Sequence, residues 1–582
     1  MPTLEWIGKE KVVNHHLDVP YRVLERKYSF DENGQHEEDN GSENMIIHGD
    51  NLDALKALLP RFEGRVKCIY IDPPYNTGNE GWVYNDNVND PKIRKWLGEV
   101  VGKEGEDLSR HDKWLCMMYP RLKLLQRLLS DDGVIFISID DTEYANLKSI
   151  CDEIFGANCF ASNISWQRTY SARNDSKGIV NEVEHILCYS KTPAWNPQKL
   201  DRTAEMDDRY SSPDNDPRPW KAGDASAPGA STHPGMVYAI QHPITGRLLY
   251  PPNGRCWTFG QDQMLRILLE WSYYELRPID DYEKRVSICG QSTTVPKEIN
   301  AIMLSKPWED IFPNAVLRYQ IGNWPVLYFT SGGKGGMACK RYLDEMGGRI
   351  VTNLWPYEEV GHTDEAAKVL KAIFDGKTPF DTPKPPRLIE RVLQIAADPN
   401  AIILDSFAGS GTTAHAALNM NEADNGNRKY ILVEMMDYAD SITAERVKRV
   451  IRGYGDGKKA VPGTGGNFSY YELGEPLMIG DVLNEAVGVE KIREYVYFTD
   501  TKSRLPEPHT DEPYFMGIHI NNAYYFYYDR DAVTTLNRDF LHTIKTNADA
   551  YVIYADLCML SEVELQKYHI TFKKIPRDIT KL

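Results

Sequence analysis

Several features are missing or scarce in this sequence, and each absence closes a class of function. The nine cysteines are scattered along the chain and no two are spaced as CxxC, so neither a zinc site nor a disulfide scaffold is suggested. They read as reduced packing residues. No uninterrupted apolar run reaches roughly 18 residues, and residues 1–11 lack the apolar core of a secretory signal. The expectation is therefore a cytoplasmic protein with no membrane partner. Positive charge is scarce as well: Lys and Arg number 67 against 84 Asp and Glu, a formal net charge of −17. That balance argues against a protein that coats nucleic acid nonspecifically, because neutralising phosphates needs Lys and Arg. It leaves room for a local basic groove, since the Debye length is only about 10 Å. There is no GxxxxGK[ST] loop to cradle a triphosphate. No HxxxH or His–carboxylate spacing around His111, His185 or His415 marks a metal site, so no metal is expected.

What is present is an ordinary globular composition, 42% hydrophobic and 26% charged. At 582 residues, two to four domains are expected. Residues 1–44 have no clear period and read as an N-terminal extension ending in a polar loop. From residue 45 the pattern alternates: strands over 45–47 and 66–71, a long helix over 114–129 closed by a turn at Ser130-Asp131-Asp132-Gly133, a strand over 134–139, a helix over 142–155 and a strand over 185–189. This first α/β segment, 45–190, gives way to a Pro-, Gly-, Asp- and Trp-rich insert over 191–350. The α/β pattern returns over 351–452 with a helix over 388–397, a strand over 402–404, a glycine loop, a helix over 412–418 and a strand over 430–434. A Gly-rich linker, 453–466, leads to a C-terminal α/β or α+β module, 467–582. The fold class expected is α/β: a Rossmann-like sheet assembled from two sequence segments around an inserted domain.

Two motifs carry chemistry. Asp405-Ser406-Phe407-Ala408-Gly409-Ser410-Gly411-Thr412-Thr413 lies between a strand and a helix, where glycines let backbone approach a ligand and the helix start offers free amides. Glu434 ends the next strand, a position from which an acid can hold ribose hydroxyls. A tight strand–helix turn without any ligand would also fit this loop taken alone. The second motif is Asp72-Pro73-Pro74-Tyr75, at the end of a strand that two prolines cannot continue. The lone pair of a purine amino group is delocalised into the ring, so an enzyme alkylating it must hold the nitrogen by hydrogen bonds that favour tetrahedral character. A carboxylate and a proline-stiffened carbonyl supply two rigid acceptors, and Tyr75 supplies a ring for an extruded base to stack on. The alternative is a Pro-Pro turn in which Asp72 satisfies local amides. Two such motifs at strand ends of one sheet favour the ligand-binding reading.

Together the motifs resemble those of amino-group DNA methyltransferases: Asp72-Pro73-Pro74-Tyr75 the catalytic signature, and Phe407-Ala408-Gly409-Ser410-Gly411 the cofactor signature. The catalytic motif comes first, with a long insert between, which is the permuted order of the β class. Gly49-Asp50-Asn51-Leu52, Arg121-Leu122, Asp132-Gly133 and Thr382-Pro383-Lys384-Pro385 follow the same order. More narrowly, the chain resembles the Mod subunits of type III restriction-modification systems, through Trp6-Ile7-Gly8-Lys9, His242-Pro243-Ile244-Thr245-Gly246, Gly254-Arg255-Cys256-Trp257 and Ile575-Pro576-Arg577-Asp578-Ile579.

The resemblance implies a site-specific DNA adenine methyltransferase that uses S-adenosylmethionine and flips its target base. Asp72 would accept from the adenine amino group, Pro73 would present its carbonyl, Pro74 would stiffen the loop and Tyr75 would stack on the base. Asp405, Phe407, Gly409, Gly411 and Thr412 would line the cofactor pocket, with Glu434 on the ribose and Lys384 near the methionine carboxylate. Within the family Asp in the catalytic motif goes with adenine, and Ser with cytosine. The implied partners are double-stranded DNA, a second copy in a homodimer and a separate helicase-nuclease restriction subunit. The insert, with its tryptophans and basic points such as Lys334, Lys340, Arg341 and Arg349, would carry target recognition. A solitary adenine methyltransferase, a DNA-recognition scaffold without catalysis, and cytosine or RNA substrates stand as alternatives.

Overall fold

The computed structural model describes residues 3–77, 110–171, 179–506 and 511–577. Gly78 after the catalytic motif and Asp578 and Ile579 of the tail motif lie outside the described residues. The chain divides into two compact units, one formed by Met1–Gln198 with Val351–Leu582 and the other by Lys199–Ile350.

The first unit is built on an eleven-stranded sheet. Its strands in chain order are β1 (Arg22–Asp31), β2 (Gly34–His36), β3 (Met45–His48), β4 (Val66–Ile71), β5 (Leu129–Ile139), β6 (Phe160–Gln167), β7 (Val183–Ser190), β8 (Leu354–Trp355), β9 (Ile402–Asp405), β10 (Lys429–Glu434) and β11 (Asn467–Pro476). They lie side by side in the order β8-β6-β7-β5-β4-β9-β10-β3-β11-β1-β2. From β5 through β11 every neighbouring pair is parallel, whereas β7 and β1 run antiparallel to their neighbours. The flanking helices are α1 (Asn51–Phe62), α2 (Arg110–Leu128), α3 (Tyr144–Phe155), α4 (Thr363–Ile373), α5 (Pro386–Ala396), α6 (Thr412–Asp424) and α7 (Glu445–Arg452).

The near-continuous apolar runs of β4 and β10 follow from this arrangement, because parallel strands with helices on both faces have no solvent side. Local signals set the helix starts. The carboxylate of Asp50 caps α1 by accepting from Leu52 N at 2.8 Å, and Pro386 opens α5 where its missing amide costs nothing. The α/β segments on the two sides of the insert join directly at β4 and β9, where Cys68 pairs with Ile403 and Ile69 with Leu404.

Two features differ from the sequence reading. The N-terminal stretch is not an irregular extension: β1 and β2 extend the sheet, with β1 paired with β11 from beyond the Gly-rich linker. Ser130-Asp131-Asp132-Gly133 is not a turn but part of β5, a bulge marked by the register shift between Val66/Leu129 and Cys68/Val134. A Cβ on Gly133 would stand 2.9 Å from the carbonyl oxygens of Ser130 and Val66, which is why glycine sits there. The C-terminal residues form a second sheet in this unit, in the order Phe515–His519, Asn522–Phe526, Ala550–Ala555, Ile570–Lys574.

The second unit is an irregular domain around two small sheets, one ordered Leu248–Leu249, Ile240–Gln241, Ala301–Leu304, Tyr274–Arg277 and the other Leu327–Phe329, Met337–Tyr342, Trp220–Asp224. Trp220, Trp257 and Trp271 are buried in its core. Lys340, expected among its basic surface points, is buried with its ammonium 2.6 Å from both Asp214 and Asp216, so its charge is spent internally. Lys334 and Arg341 are exposed. Among the described residues no helix is long and apolar enough to cross a membrane, and no cluster of three or more His, Cys, Asp or Glu is arranged to hold a metal ion. The cysteines are free, and all but Cys558 are buried.

Candidate active site

Because β4 and β9 are parallel neighbours, the loops that leave their carboxyl ends emerge on the same edge of the sheet. One loop is Asp72-Pro73-Pro74-Tyr75 and the other is the glycine loop 406–411.

Asp72 accepts from the ammonium of Lys384 at 2.8 Å (Oδ1) and 2.7 Å (Oδ2), and from the Tyr75 hydroxyl at 2.8 Å. Lys384, 312 residues away in sequence, arrives from the loop before α5 and also donates to the Tyr75 hydroxyl at 2.8 Å. Behind them stands Glu184 of β7, buried, 3.2 Å from the Tyr75 hydroxyl and 3.6 Å from Lys384. Arg168 closes the row with a 2.8 Å bond to Glu184. The row alternates in sign. Burial pushes the Asp72 carboxyl above its ordinary range, against the pull of Lys384. Burial would also raise Glu184, but Lys384 and Arg168 outweigh it and hold that carboxyl below its ordinary value. Lys384, which burial alone would lower, is raised by the two carboxylates and stays charged.

The loop backbone is held from the other side. The indole of buried Trp114 on α2 donates to the Pro74 carbonyl at 2.7 Å, which leaves the Pro73 carbonyl without an acceptor role among the described residues. Asn76 takes a left-handed conformation (φ 60°), and its amide donates to the fully buried Glu143 and to the carbonyl of Arg110 at 3.2 Å. Glu143 also holds His111 and Asn146, each at 2.7 Å. Tyr75 is itself buried, at 5% exposure.

In the glycine loop, Gly409 and Gly411 have φ of 52° and 80°. A Cβ on Gly409 would meet the Phe380 ring at 3.0 Å, and one on Gly411 would meet the Thr443 carbonyl oxygen at 3.0 Å, so a side chain at either position would be crowded as well as strained. Asp405 accepts from Phe407 N at 3.0 Å and from the Thr413 hydroxyl, which folds the loop back over the strand end. Glu434, at the end of β10, accepts from Gly409 N at 2.8 Å and Met436 N at 2.9 Å. Burial pushes both carboxyls up to about 7. Phe407 is half-buried, and Asn51 of α1 donates to the Ser406 carbonyl. Thr412 donates to the backbone carbonyl of Lys384 at 3.3 Å, tying the two loops together.

Asp72, Tyr75, Asp405, Phe407, Gly409, Gly411, Thr412, Glu434 and Lys384 therefore collect on one edge of the sheet, with one difference of placement. Lys384 was expected at a cofactor carboxylate, and its ammonium instead engages Asp72. Glu184, Arg168, Trp114 and Glu143 were not foreseen. Each reaches the site from another strand or helix, and no local pattern announces it.

The fit to a nucleoside cofactor with an amino-acid tail is favourable on two observations. The Ser406 hydroxyl is buried without a partner. The amides of Thr412, Thr413 and Ala414, at the start of the 13-residue α6, have no acceptor among the described residues. Both are groups that a polar ligand seated on the loop would satisfy.

Comparison with known proteins agrees with this geometry. The chain is 32% identical over 443 residues to the Mod subunit of the type III restriction-modification enzyme StyLTI of Salmonella typhimurium, covering 71% of this chain and 58% of that one. It is 28% identical over 472 residues to the EcoP15I Mod subunit of Escherichia coli, covering 78% and 66%. It is 30% identical over 399 residues to the type II methyltransferase M.KpnI of Klebsiella pneumoniae, covering 67% and 80%. The chain thus spans about three-fifths of the length of the first of these relatives. A family model described as DNA methylase matches residues 66–498, a span that holds β4, both loops, Lys384, Glu184 and Glu434. With that span matched, and with the two motif loops side by side at one edge of its sheet, the chain belongs to the DNA methylase family.

Proposed function

We propose that this protein is a site-specific DNA adenine methyltransferase, serving as the modification and recognition subunit of a type III-like restriction-modification system. The observation that carries the reading is the direct parallel pairing of β4 with β9, which brings an amino-group-binding loop and a nucleoside-binding loop to one edge. The names of the Salmonella and Escherichia relatives, type III restriction-modification Mod subunits, support the restriction-modification context. A separate helicase-nuclease subunit, a second copy of this chain and double-stranded DNA, met in the cytoplasm, are the partners this reading proposes. A methyltransferase acting without a restriction subunit is the second reading. It is favoured by the type II enzyme of Klebsiella pneumoniae, of which the chain covers 80%.

S-adenosylmethionine, when bound, supplies a methyl group on a positively charged sulfur. The chain's own residues position what that methyl group meets. Asp405, Phe407, Gly409, Gly411 and Thr412 would line the cofactor pocket, and Glu434 would accept from the ribose hydroxyls. Asp72 and the free Pro73 carbonyl accept the two amino hydrogens of an extruded adenine, which favours the nitrogen lone pair pointing out of the ring plane. Trp114 on the Pro74 carbonyl and Glu143 on Asn76 keep those acceptors rigid, so the geometry is prepared before the base arrives. Lys384 draws the Asp72 carboxyl toward its ionised form, against the burial that favours the neutral acid. When the nitrogen gains the methyl group it must lose a proton, and the Asp72 carboxylate is the base in contact with it. Tyr75 stacks on the base. Its ring is buried, so entry of the base displaces the side chains that cover it.

The test is methyl transfer from labelled S-adenosylmethionine to unmethylated genomic DNA, with nucleoside analysis of the product, for the wild type and Asp72→Ala. Methylated adenine that disappears in the variant supports the assignment. Methylated cytosine overturns the base, and cofactor binding without transfer from the wild type points to the recognition-scaffold alternative.

A further inference from the structure

Arg446, on α7, is completely buried. Its Nη1 donates to the Ser410 hydroxyl at 2.8 Å and to the Thr412 hydroxyl at 2.7 Å, its Nη2 meets His415 Nδ1 at 3.2 Å, and its Nε has no partner. Every one of these partners is neutral. His415 is buried as well, and burial together with the neighbouring guanidinium holds its imidazole far below its ordinary value, so it serves as an acceptor. Other buried arginines of this chain do have carboxylates. Arg121 lies 3.5 Å from Asp50, Arg285 lies 2.7 Å from Asp281 and Arg577 lies 3.2 Å from Asp556. A buried cation without an anion is costly, and burial pushes this guanidinium down to about 9.

The place where an anion would compensate it is defined by its contacts. Ser410 and Thr412 are the last turn of the glycine loop and the first residue of α6, where the amides of Thr412, Thr413 and Ala414 have no acceptor among the described residues. The positive end of a 13-residue helix and the guanidinium therefore converge on one turn. The acids of the neighbourhood do not answer it. Asp405 and Glu434 are engaged by hydroxyl and amide groups, and no ion pair joins either to Arg446 among the described residues.

We infer that Arg446 is the positioning residue that makes the glycine loop selective for a ligand bearing a carboxylate, acting through the Thr412 and Ser410 hydroxyls. The inference rests on the reading of this loop as the S-adenosylmethionine site. Because the Thr412 oxygen accepts from Arg446, its own proton is turned away from the guanidinium. It is spent on a long 3.3 Å contact with the Lys384 carbonyl, from which an arriving carboxylate recruits it. The amino-acid end of the cofactor then lies over the helix start, with the guanidinium beneath it as the fixed counter-charge.

The experiment compares the affinities of three ligands by titration calorimetry: S-adenosylmethionine, S-adenosylhomocysteine, which keeps the carboxylate and lacks the sulfonium charge, and 5′-methylthioadenosine, which lacks the amino-acid tail. In Arg446→Met the two carboxylate-bearing ligands should weaken on the order of 10- to 100-fold, the scale of a hydrogen bond involving a charge. Affinity for 5′-methylthioadenosine should stay within about twofold. Arg446→Lys should recover most of the loss, and Thr412→Val, which leaves the arginine in place, should reproduce the selective loss should Arg446→Met fail to fold. Equal weakening of all three ligands would reduce Arg446 to a support for the loop's shape and overturn the inference, as would unchanged affinity for S-adenosylhomocysteine. A wild type that binds none of the three would overturn the assignment of the loop itself.

Discussion

The two halves of the site handle buried charge in opposite ways. Around Asp72 the charges alternate, with Asp72, Lys384, Glu184 and Arg168 in one row, each within 4 Å of a partner of opposite sign. Around the glycine loop, among the described residues, Asp405 and Glu434 meet amides and a hydroxyl, and Arg446 meets hydroxyls, the Ser410 carbonyl and an imidazole, with no carboxylate. The first half is electrically complete without a ligand, with Lys384 opposing the burial that raises Asp72. The second is incomplete, with acids raised to about 7 and an unpaired cation, an arrangement that a zwitterionic, positively charged nucleoside would balance. In this reading the base site is poised before binding, and the cofactor site is completed by it.

This contrast can be attacked from both sides. The largest effect is expected for Asp72→Ala, which should lower the single-turnover rate of methyl transfer on the order of 10²- to 10³-fold. Cofactor affinity should barely move. Lys384→Met should cost about tenfold to a hundredfold in rate. It should also shift the acid limb of the pH–rate profile to higher pH, since Asp72 loses the cation that opposes its burial. A loss confined to the KM for S-adenosylmethionine would instead return Lys384 to the cofactor.

On the cofactor side, ribose hydroxyls bind an ionised Glu434 better than a protonated one. Affinity should therefore fall as pH drops below about 7, by at most about tenfold per pH unit, and Glu434→Gln should flatten that dependence in calorimetric titrations. The ligand-free fold should respond with the opposite sign. Both raised carboxyls favour the folded state when protonated, so their contribution is fully present below about pH 4 and is lost as pH rises through about 7. Thermal midpoints at pH 4 to 8 check it. The smallest effect is expected for Trp114→Phe, which frees the Pro74 carbonyl. A several-fold loss of rate with unchanged cofactor binding, corresponding to about 1 kcal/mol, would match one buried hydrogen bond.

Much of this site was legible in the sequence because its anchors are local. The run over Val66–Ile71 ends at two prolines, and Ile402–Asp405 ends at a glycine loop, so the strand ends could be read from a few residues each. What escaped was non-local. Glu184 meets Tyr75, and Arg168 meets Glu184, only because β6 and β7 are brought beside β4 by the sheet, and the pairing of Lys384 with Asp72, 312 residues away, is set in the same way. The pairing of β1 with β11 spans nearly the whole chain, and neither strand carries a turn signal naming the other. The Asp-Asp-Gly in β5 reads as a turn by composition, and only the register against β4 reveals a bulge.

The inserted unit closes on itself where it begins and ends: Leu200 N donates to the Arg349 carbonyl at 2.9 Å, and Arg349 N donates back to the Leu200 carbonyl at 2.7 Å. A segment clasped at its own neck is a cassette. The distance its two ends must span is set by two hydrogen bonds and not by what lies between them, so the interior can lengthen, shrink or be exchanged without pulling on the sheet. In the proposed reading, a change in the recognised DNA sequence is confined to residues between that clasp, while the register of Cys68 on Ile403, and with it the site, is left untouched.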